Sequence, residues 1–565
     1  MSEPVVHHSG LSTTFKGIRH DISSPENEIW QFRGIKYADI PSRFRQSTLH
    51  ENFPPVYEVT AYGPKCPQTI FPVRMEDALI GVPPHIASHV ADIFDELDCL
   101  HLNITVPAGI KAGDDLPVMV YVHGGGGFSG ANSDWWCDGG SIVKRSVEIG
   151  KPVIMIAINY RLGVFGYIGS EELGAVNGKE NIANFGRLLL SQSSLQWIHT
   201  NIAPFGGSPI NITIYGESHG SLAISAQMHS SRDFPPFFTR TILQSQILGG
   251  PLLSDPLPLS AANTHYEATK TALNITSAKE LEVAPWQELL AAFQNADLRK
   301  GFGHVPTMDN VFLAENWREG LKNKVSGKGM ELLIGCTGNE SSVLKMVLCS
   351  APASDAKPPT SSLIAAWSTI LPPQKVAEIF DVYGIQPDAE GEVAADILLQ
   401  IAEDVCWYRD QEAFAQQARE AGMKVMEYTF EQRQPFGGPF KGVPAHSLDL
   451  AYLHGDPAIF SSCENPEQEM KAQRDVQDHW IGFAHGEIGK RLSGEEVSVF
   501  GPDGENKEVS KEVFLSEVRR GKKWNVWEGI GHAGMEGVLM LSMMHLLGVL
   551  GQGVAEKEKE VEEGK

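Results

Sequence analysis

The chain has 565 residues, 42% hydrophobic and 21% charged, with a formal net charge of −24. That length can bury a large core, and the composition is that of a globular protein. The negative charge repels phosphates, which excludes a nucleic-acid partner and leaves small neutral or weakly polar molecules as the expected ligands.

The N-terminal stretch MSEPVVHHSGLSTTFKG has no basic start followed by an apolar run. It is not read as a secretory signal, so a cytoplasmic location is expected. The cysteines Cys66, Cys99, Cys137, Cys336, Cys349, Cys406 and Cys463 are scattered without a CxxC pair, and read as reduced thiols. Zinc-type spacing and HExxH are both missing, so neither a metal nor a cofactor is expected.

LPVMVYVH (116–123) has the pattern of a buried strand and ends in a glycine run. SIVKRSVEIG (141–150) can supply a helix before PVIMIAINY (152–160), a second apolar strand. A polar, helical stretch over roughly 181–202 precedes NITIYGES (211–218), a third strand. HGSLAISAQMHSS (219–231) reads as a helix, and TRTILQSQ (239–246) as a fourth strand. Apolar strands separated by helices predict an α/β fold whose parallel sheet is covered on both faces. GVLMLSMMHLLGVLG (537–551) is too short for a comfortable membrane span, so it reads as a C-terminal helix packed on the body. Residues 1–551 are expected to form one domain. Residues 552–565 are expected to be a charged, disordered tail.

Two motifs carry chemistry. Gly216-Glu217-Ser218-His219-Gly220 fits G-x-S-x-G, between a predicted strand and a predicted helix. In that context the serine sits at a sharp turn, flanked by glycines that avoid clashes, with a helix N-terminus behind it. His123-Gly124-Gly125-Gly126-Gly127 follows the first strand. Its bare backbone lets amides approach a developing oxyanion, and the expected donors are Gly125, Gly126 and His219.

Further segments are FRGIKYA (32–38), KCPQ (65–68), DCLHLNITVP (98–107), YVHGGGGFSG (121–130), NYRLGVFGYIG (159–169) and LQWIHTNIAPFGGSPINITIYGESHGS (195–221). Through them the chain resembles the type-B carboxylesterase/lipase family, which includes the cholinesterases. The resemblance implies an α/β-hydrolase fold with a mixed, mostly parallel central sheet, helices on both faces and long insertions. It also implies a serine esterase acting on small, largely apolar carboxylic esters. ELLIGCTGNESS (331–342) matches the family's acid segment and points to Glu340. GVPAHSLDLAYLHG (442–455) matches its histidine segment and points to His446 rather than His454. The implied triad is Ser218, His446 and Glu340. Phe128, Trp135, Trp136 and Phe165 are candidate substrate-pocket aromatics by their nearness to the motifs. Glu217 is a candidate for tuning the site.

The chain departs from the family pattern at four places. His219 stands where alanine is usual, and Gly127 is an additional glycine. Ser191-Gln192 replaces an Asp-Gln pair, and one extra residue separates Val443 from His446. In secreted members the cysteines matching Cys66 and Cys99 form a disulfide, which makes a secreted location the alternative. Two other functions compete with ester hydrolysis. One is lactone or thioester hydrolysis, or acyl transfer to another acceptor, in secondary metabolism. The other is a catalytically dead binding module, against which the retained triad speaks.

Overall fold

Alternate residues of one strand feed two separate cores. Along Leu116–Val122, the side chains of Val118, Val120 and Val122 join one apolar cluster, whereas Met119 and Tyr121 join another. This is the two-residue period of a strand buried on both faces. A computed structural model of the chain describes residues 3–550 apart from 72, 87–88, 187–192, 232–236, 297–302, 326–328, 350–358, 387, 390 and 488–495. The Ser191-Gln192 segment and the 552–565 tail therefore lie outside the described residues.

The strands of the main sheet are β1 (Ile18–Arg19), β2 (Ile29–Lys36), β3 (His101–Pro107), β4 (Leu116–Val122), β5 (Ile154–Ile158), β6 (Gly207–Glu217), β7 (Arg240–Gln244), β8 (Glu331–Thr337), β9 (Lys424–Phe430), β10 (Glu496–Phe500) and β11 (Asn506–Ser510). Their spatial order is β11-β10-β9-β8-β7-β6-β4-β5-β3-β2-β1, an 11-stranded sheet. From β10 to β5 every pairing is parallel. The strands at both edges pair antiparallel. This is the mixed, mostly parallel sheet expected from the sequence.

Helices cover both faces. On one side α3 (His219–His229) sets Ala223, Ile224 and Met228 into the first cluster. On the other, α1 (Gly140–Glu148) and α5 (Pro466–Ala484) contribute Ile142, Val143, Val476, Trp480 and Ile481 to the second. A third cluster forms in the insertion between β8 and β9, around Leu348, Trp367, Leu398 and Trp407. The apolar C-terminal stretch is helix α6 (His532–Leu550), which buries Val538, Leu539 and Met543 in that third cluster. Among the described residues no helix is long and apolar enough to cross a membrane.

The NYR segment shows how loops are fixed above the sheet. The fully buried Arg161 guanidinium donates to the carbonyls of Arg43 (3.1 Å), Arg45 (2.8 Å) and Phe185 (3.0 Å). Asn159 accepts from the Asn132 amide at 2.7 Å, and the Tyr160 hydroxyl donates to the His123 carbonyl at 2.9 Å. One short segment thus ties down the entrance to the glycine run and two neighbouring loops.

Candidate active site

β6 runs straight into the turn that presents Ser218. Ser218 has φ 54° and ψ −123°, a left-handed conformation that costs about 1–3 kcal/mol for a non-glycine residue. The turn is possible because its flanks carry no side chain. A Cβ on Gly216 would come within 2.7 Å of the Val122 carbonyl oxygen, and one on Gly220 within 2.0 Å. The Ser218 amide donates to the Gln244 carbonyl at 2.9 Å, which anchors the turn to β7. α3 starts immediately behind, so its N-terminal amides face the serine.

Two loops at the same carboxyl edge of the sheet supply its partners. Glu340 follows β8, and His446 follows β9 and opens the way to α4 (Leu448–His454). The Ser218 hydroxyl and His446 Nε2 are 2.9 Å apart. On its far side, His446 Nδ1 donates to Glu340 Oε2. Glu340 Oε1 accepts from the Thr337 amide at 2.7 Å, so both carboxylate oxygens are held. The loops are joined directly. Asn339 and Ala445 form a parallel bridge, and the Asn339 amide donates to the Pro444 carbonyl at 3.0 Å. The His446 amide donates to Ser342 Oγ at 2.9 Å. The extra residue before His446 thus falls in a stretch paired with the acid loop. His454 is a core residue, bonded through its two ring nitrogens to the Tyr215 hydroxyl (3.0 Å) and the Trp136 carbonyl (2.6 Å).

More acid surrounds His446 than a triad needs. Glu217 Oε1 lies 3.2 Å from His446 Nε2 and accepts from the Ser447 hydroxyl at 2.9 Å. Burial holds the Glu217 carboxyl well above the usual carboxylate range, against the pull of His446. For His446, burial lowers the pKa, but the Glu217 and Glu340 carboxylates outweigh it and raise it. Asp449, one helical turn further on, is pushed up to about 6 by burial, although Gln244 donates to it at 2.8 Å. Sequence reasoning noted Asp449 only as part of a motif and passed over Gln244 and Ser447. Gln244 meets Asp449, and Ser447 meets Glu217, only through the fold, and such long-range contacts have no local signature.

The glycine run curls over Ser218. Gly125, Gly126 and Gly127 have φ of 92°, 62° and 76°, which side chains disfavour. Their carbonyls are turned outward and tied. Gly125 accepts from the Ser129 amide (3.0 Å), Gly126 from that of His304 (2.8 Å) and Gly127 from that of Gly163 (2.8 Å). No described residue accepts from the Gly125 or Gly126 amide. The His219 amide lies in the first turn of α3, directly after Ser218.

Phe128, next in the chain, lines a cavity of about 450 Å³ with Phe71, Val73, Met75, His304 and Met346. The structure does not bring Trp135 and Trp136 to that cavity. A 3-10 turn, Trp135–Cys137, directs Trp136 into the second core, where only 2% of it is exposed. Trp136 borders a void of about 30 Å³. Trp135 packs edge-on against Trp136 and donates its indole N–H to Asp77 at 3.0 Å. Phe165 is in the first core, under Arg43. All three rings thus pack in or against the two apolar cores, apart from the Phe128 cavity.

The sheet order and the strand–turn–helix presentation of Ser218 define an α/β-hydrolase. Solved structures agree with that fold. A PNB esterase superposes with a TM-score of 0.70 at 24% identity, covering 92% of this chain and 99% of that one. A carboxylesterase of Geobacillus stearothermophilus gives 0.68 at 22%, covering 93% and 100%. The chain belongs to the carboxylesterase family, whose profile matches residues 2–506, and its class is that of the carboxylic ester hydrolases. It is 27% identical to lipase 1 of Yarrowia lipolytica, over 85% of this chain and 88% of that protein. It is also 27% identical to the para-nitrobenzyl esterase of Bacillus subtilis, over 81% and 86% respectively.

Proposed function

We propose that Ser218 is the nucleophile, His446 the general base and acid, and Glu340 the residue that orients the imidazole. His446 Nε2 takes the Ser218 proton as Oγ attacks the ester carbonyl carbon. The carbonyl oxygen gains negative charge against the amides of Gly125, Gly126 and His219. Collapse breaks the bond to the alcohol oxygen, which leaves with the proton from His446. Water then repeats the cycle on the acyl-enzyme, releasing the acid. The observation that carries this reading is the imidazole bridging Ser218 Oγ and the Glu340 carboxylate.

The apolar lining of the cavity beside Phe128 supports small, largely apolar esters as substrates. Glu217, in contact with the imidazole, tunes the base. A cytoplasmic setting is part of the same reading; its alternative is a secreted form, in which the neighbouring buried pair Cys66 and Cys99 would carry the disulfide.

The test is a panel of p-nitrophenyl esters of rising acyl length, with and without added alcohols as competing acceptors. Wild type is expected to turn over and to be labelled once by a fluorophosphonate. Ser218→Ala is expected to fold and do neither. Full activity in purified Ser218→Ala would overturn the assignment.

A further inference from the structure

His219 occupies the place directly after the proposed nucleophile, and its ring has a built environment of its own. The ring is buried, and its Nε2 shares a 2.5 Å hydrogen bond with the Tyr167 hydroxyl. Tyr160 lies nearly parallel to it, at 6.4 Å and 13°. On its outer side Tyr167 stacks on His304, at 5.5 Å and 27°.

This ring pair lies against the glycine run. A Cβ on Gly127 would fall 2.7 Å from both Cε1 and Nε2 of His219, and 3.2 Å from Tyr167 Cζ. Only a glycine allows the loop to rest on the imidazole at that point. The two departures from the family pattern, the added Gly127 and the added imidazole at 219, therefore meet in space and fit each other. A short helix, α2 (Gly163–Tyr167), grips the assembly at both ends. Its first amide donates to the Gly127 carbonyl at 2.8 Å, and its last residue carries the hydroxyl that holds His219. The backbone of His304 holds the Gly126 carbonyl from the other side.

We propose that the hydrogen-bonded side chains of Tyr167 and His219 form a strut that sets the position of the oxyanion loop. Through it, His219 serves the reaction twice. Its amide donates to the oxyanion, and its ring positions the amides of Gly125 and Gly126. The ring is engaged through Nε2 with Tyr167, so its part is that of a positioning group. Donors fixed in advance act only where charge develops, so the strut works on the transition state rather than on substrate affinity. The inference rests on the assignment of Ser218 and the glycine amides made above.

The test uses three variants of the full chain: Tyr167→Phe, His219→Ala and His219→Gln. Tyr167→Phe deletes one hydroxyl and keeps the ring. Two inhibitors are compared. One is an aryl trifluoromethyl ketone, which adds Ser218 Oγ to form a tetrahedral hemiketal. The other is the matching methyl ketone, read as a ground-state competitor. Tyr167→Phe is expected to lower kcat about tenfold, a fraction of what losing an oxyanion donor costs, with KM within about twofold. Its affinity for the trifluoromethyl ketone is expected to fall by a similar factor, while that for the methyl ketone holds. His219→Gln, which keeps a hydrogen-bonding group near the hydroxyl, is expected to recover part of the kcat lost in His219→Ala.

Three results would overturn the strut. The first is kcat and trifluoromethyl ketone affinity unchanged in Tyr167→Phe. The second is equal loss of affinity for both ketones, which would make the pair a pocket wall. The third, read if Tyr167→Phe does not fold, is His219→Gln no faster than His219→Ala. Fluorophosphonate labelling separates this failure from that of the underlying assignment. An unlabelled wild type, or a labelled Ser218→Ala, defeats both proposals. Normal labelling with an unaffected Tyr167→Phe defeats the strut alone.

Discussion

Glu217 Oε1 lies 3.2 Å from His446 Nε2, the same nitrogen that faces Ser218 Oγ at 2.9 Å. The proposed base therefore shares its working face with a buried carboxyl, and the two groups titrate as a pair. A carboxylate there stabilises the imidazolium, which is the inactive form in the first step. Removing it makes the imidazolium easier to deprotonate. Glu217→Gln is accordingly expected to move the acidic limb of log kcat/KM toward lower pH, measured on one soluble ester from acid through alkaline pH, because both groups are raised above their ordinary ranges. A limb that stays in place or moves upward contradicts the pairing.

Glu340 is held through both oxygens, by Thr337 and by His446. Glu340→Gln keeps the shape but loses the charge, and can present an N–H to Nδ1. The imidazole is then expected to adopt the wrong tautomer, lowering kcat by about three to four orders of magnitude. Steady-state kinetics should show the loss in kcat with KM little changed.

Gly125 is the tightest point of the proposed oxyanion loop. A Cβ there would stand 2.2 Å from the Ser129 carbonyl oxygen, at a φ of 92°. Gly125→Ala must push the loop out of line, and is expected to lower kcat by about a hundredfold or more. Circular dichroism and the melting temperature should remain close to wild type, because the loop lies above the sheet and not within it.

Among the described residues Arg161 makes its hydrogen bonds to backbone carbonyls alone, and burial lowers its pKa to about 10, so it is still charged at neutral pH. Arg161→Met fills much of the space but strands the carbonyls of Arg43, Arg45 and Phe185. The expected loss is about 3 kcal/mol or more, read as a lower urea midpoint. A variant as stable as wild type would show that those loops hold themselves.

Much of this arrangement was legible in the sequence. Strand 116–123 is found as Leu116–Val122, strand 239–246 as Arg240–Gln244, and the helix after Ser218 as His219–His229. Buried parallel strands announce themselves as apolar runs, and glycine marks the turns between them. What the sequence hid was lateral. Nothing local says that Tyr167 meets His219 or that Asp449 meets Gln244, because those pairs form only when separate crossovers pack together. Trp135 and Trp136 show the converse, since their closeness to the glycine run in sequence gave no information about which face of the sheet they join.

The loops carrying Glu340 and His446 are linked by the rung between Asn339 and Ala445. The proposed acid and base are therefore held to each other, and the serine turn is held to β7, the strand next to the β8 that carries the acid loop. Heat cannot loosen one without the other. Residual activity in a warmed sample should accordingly track cooperative melting of the whole sheet, with no earlier step in which folded molecules have already gone silent.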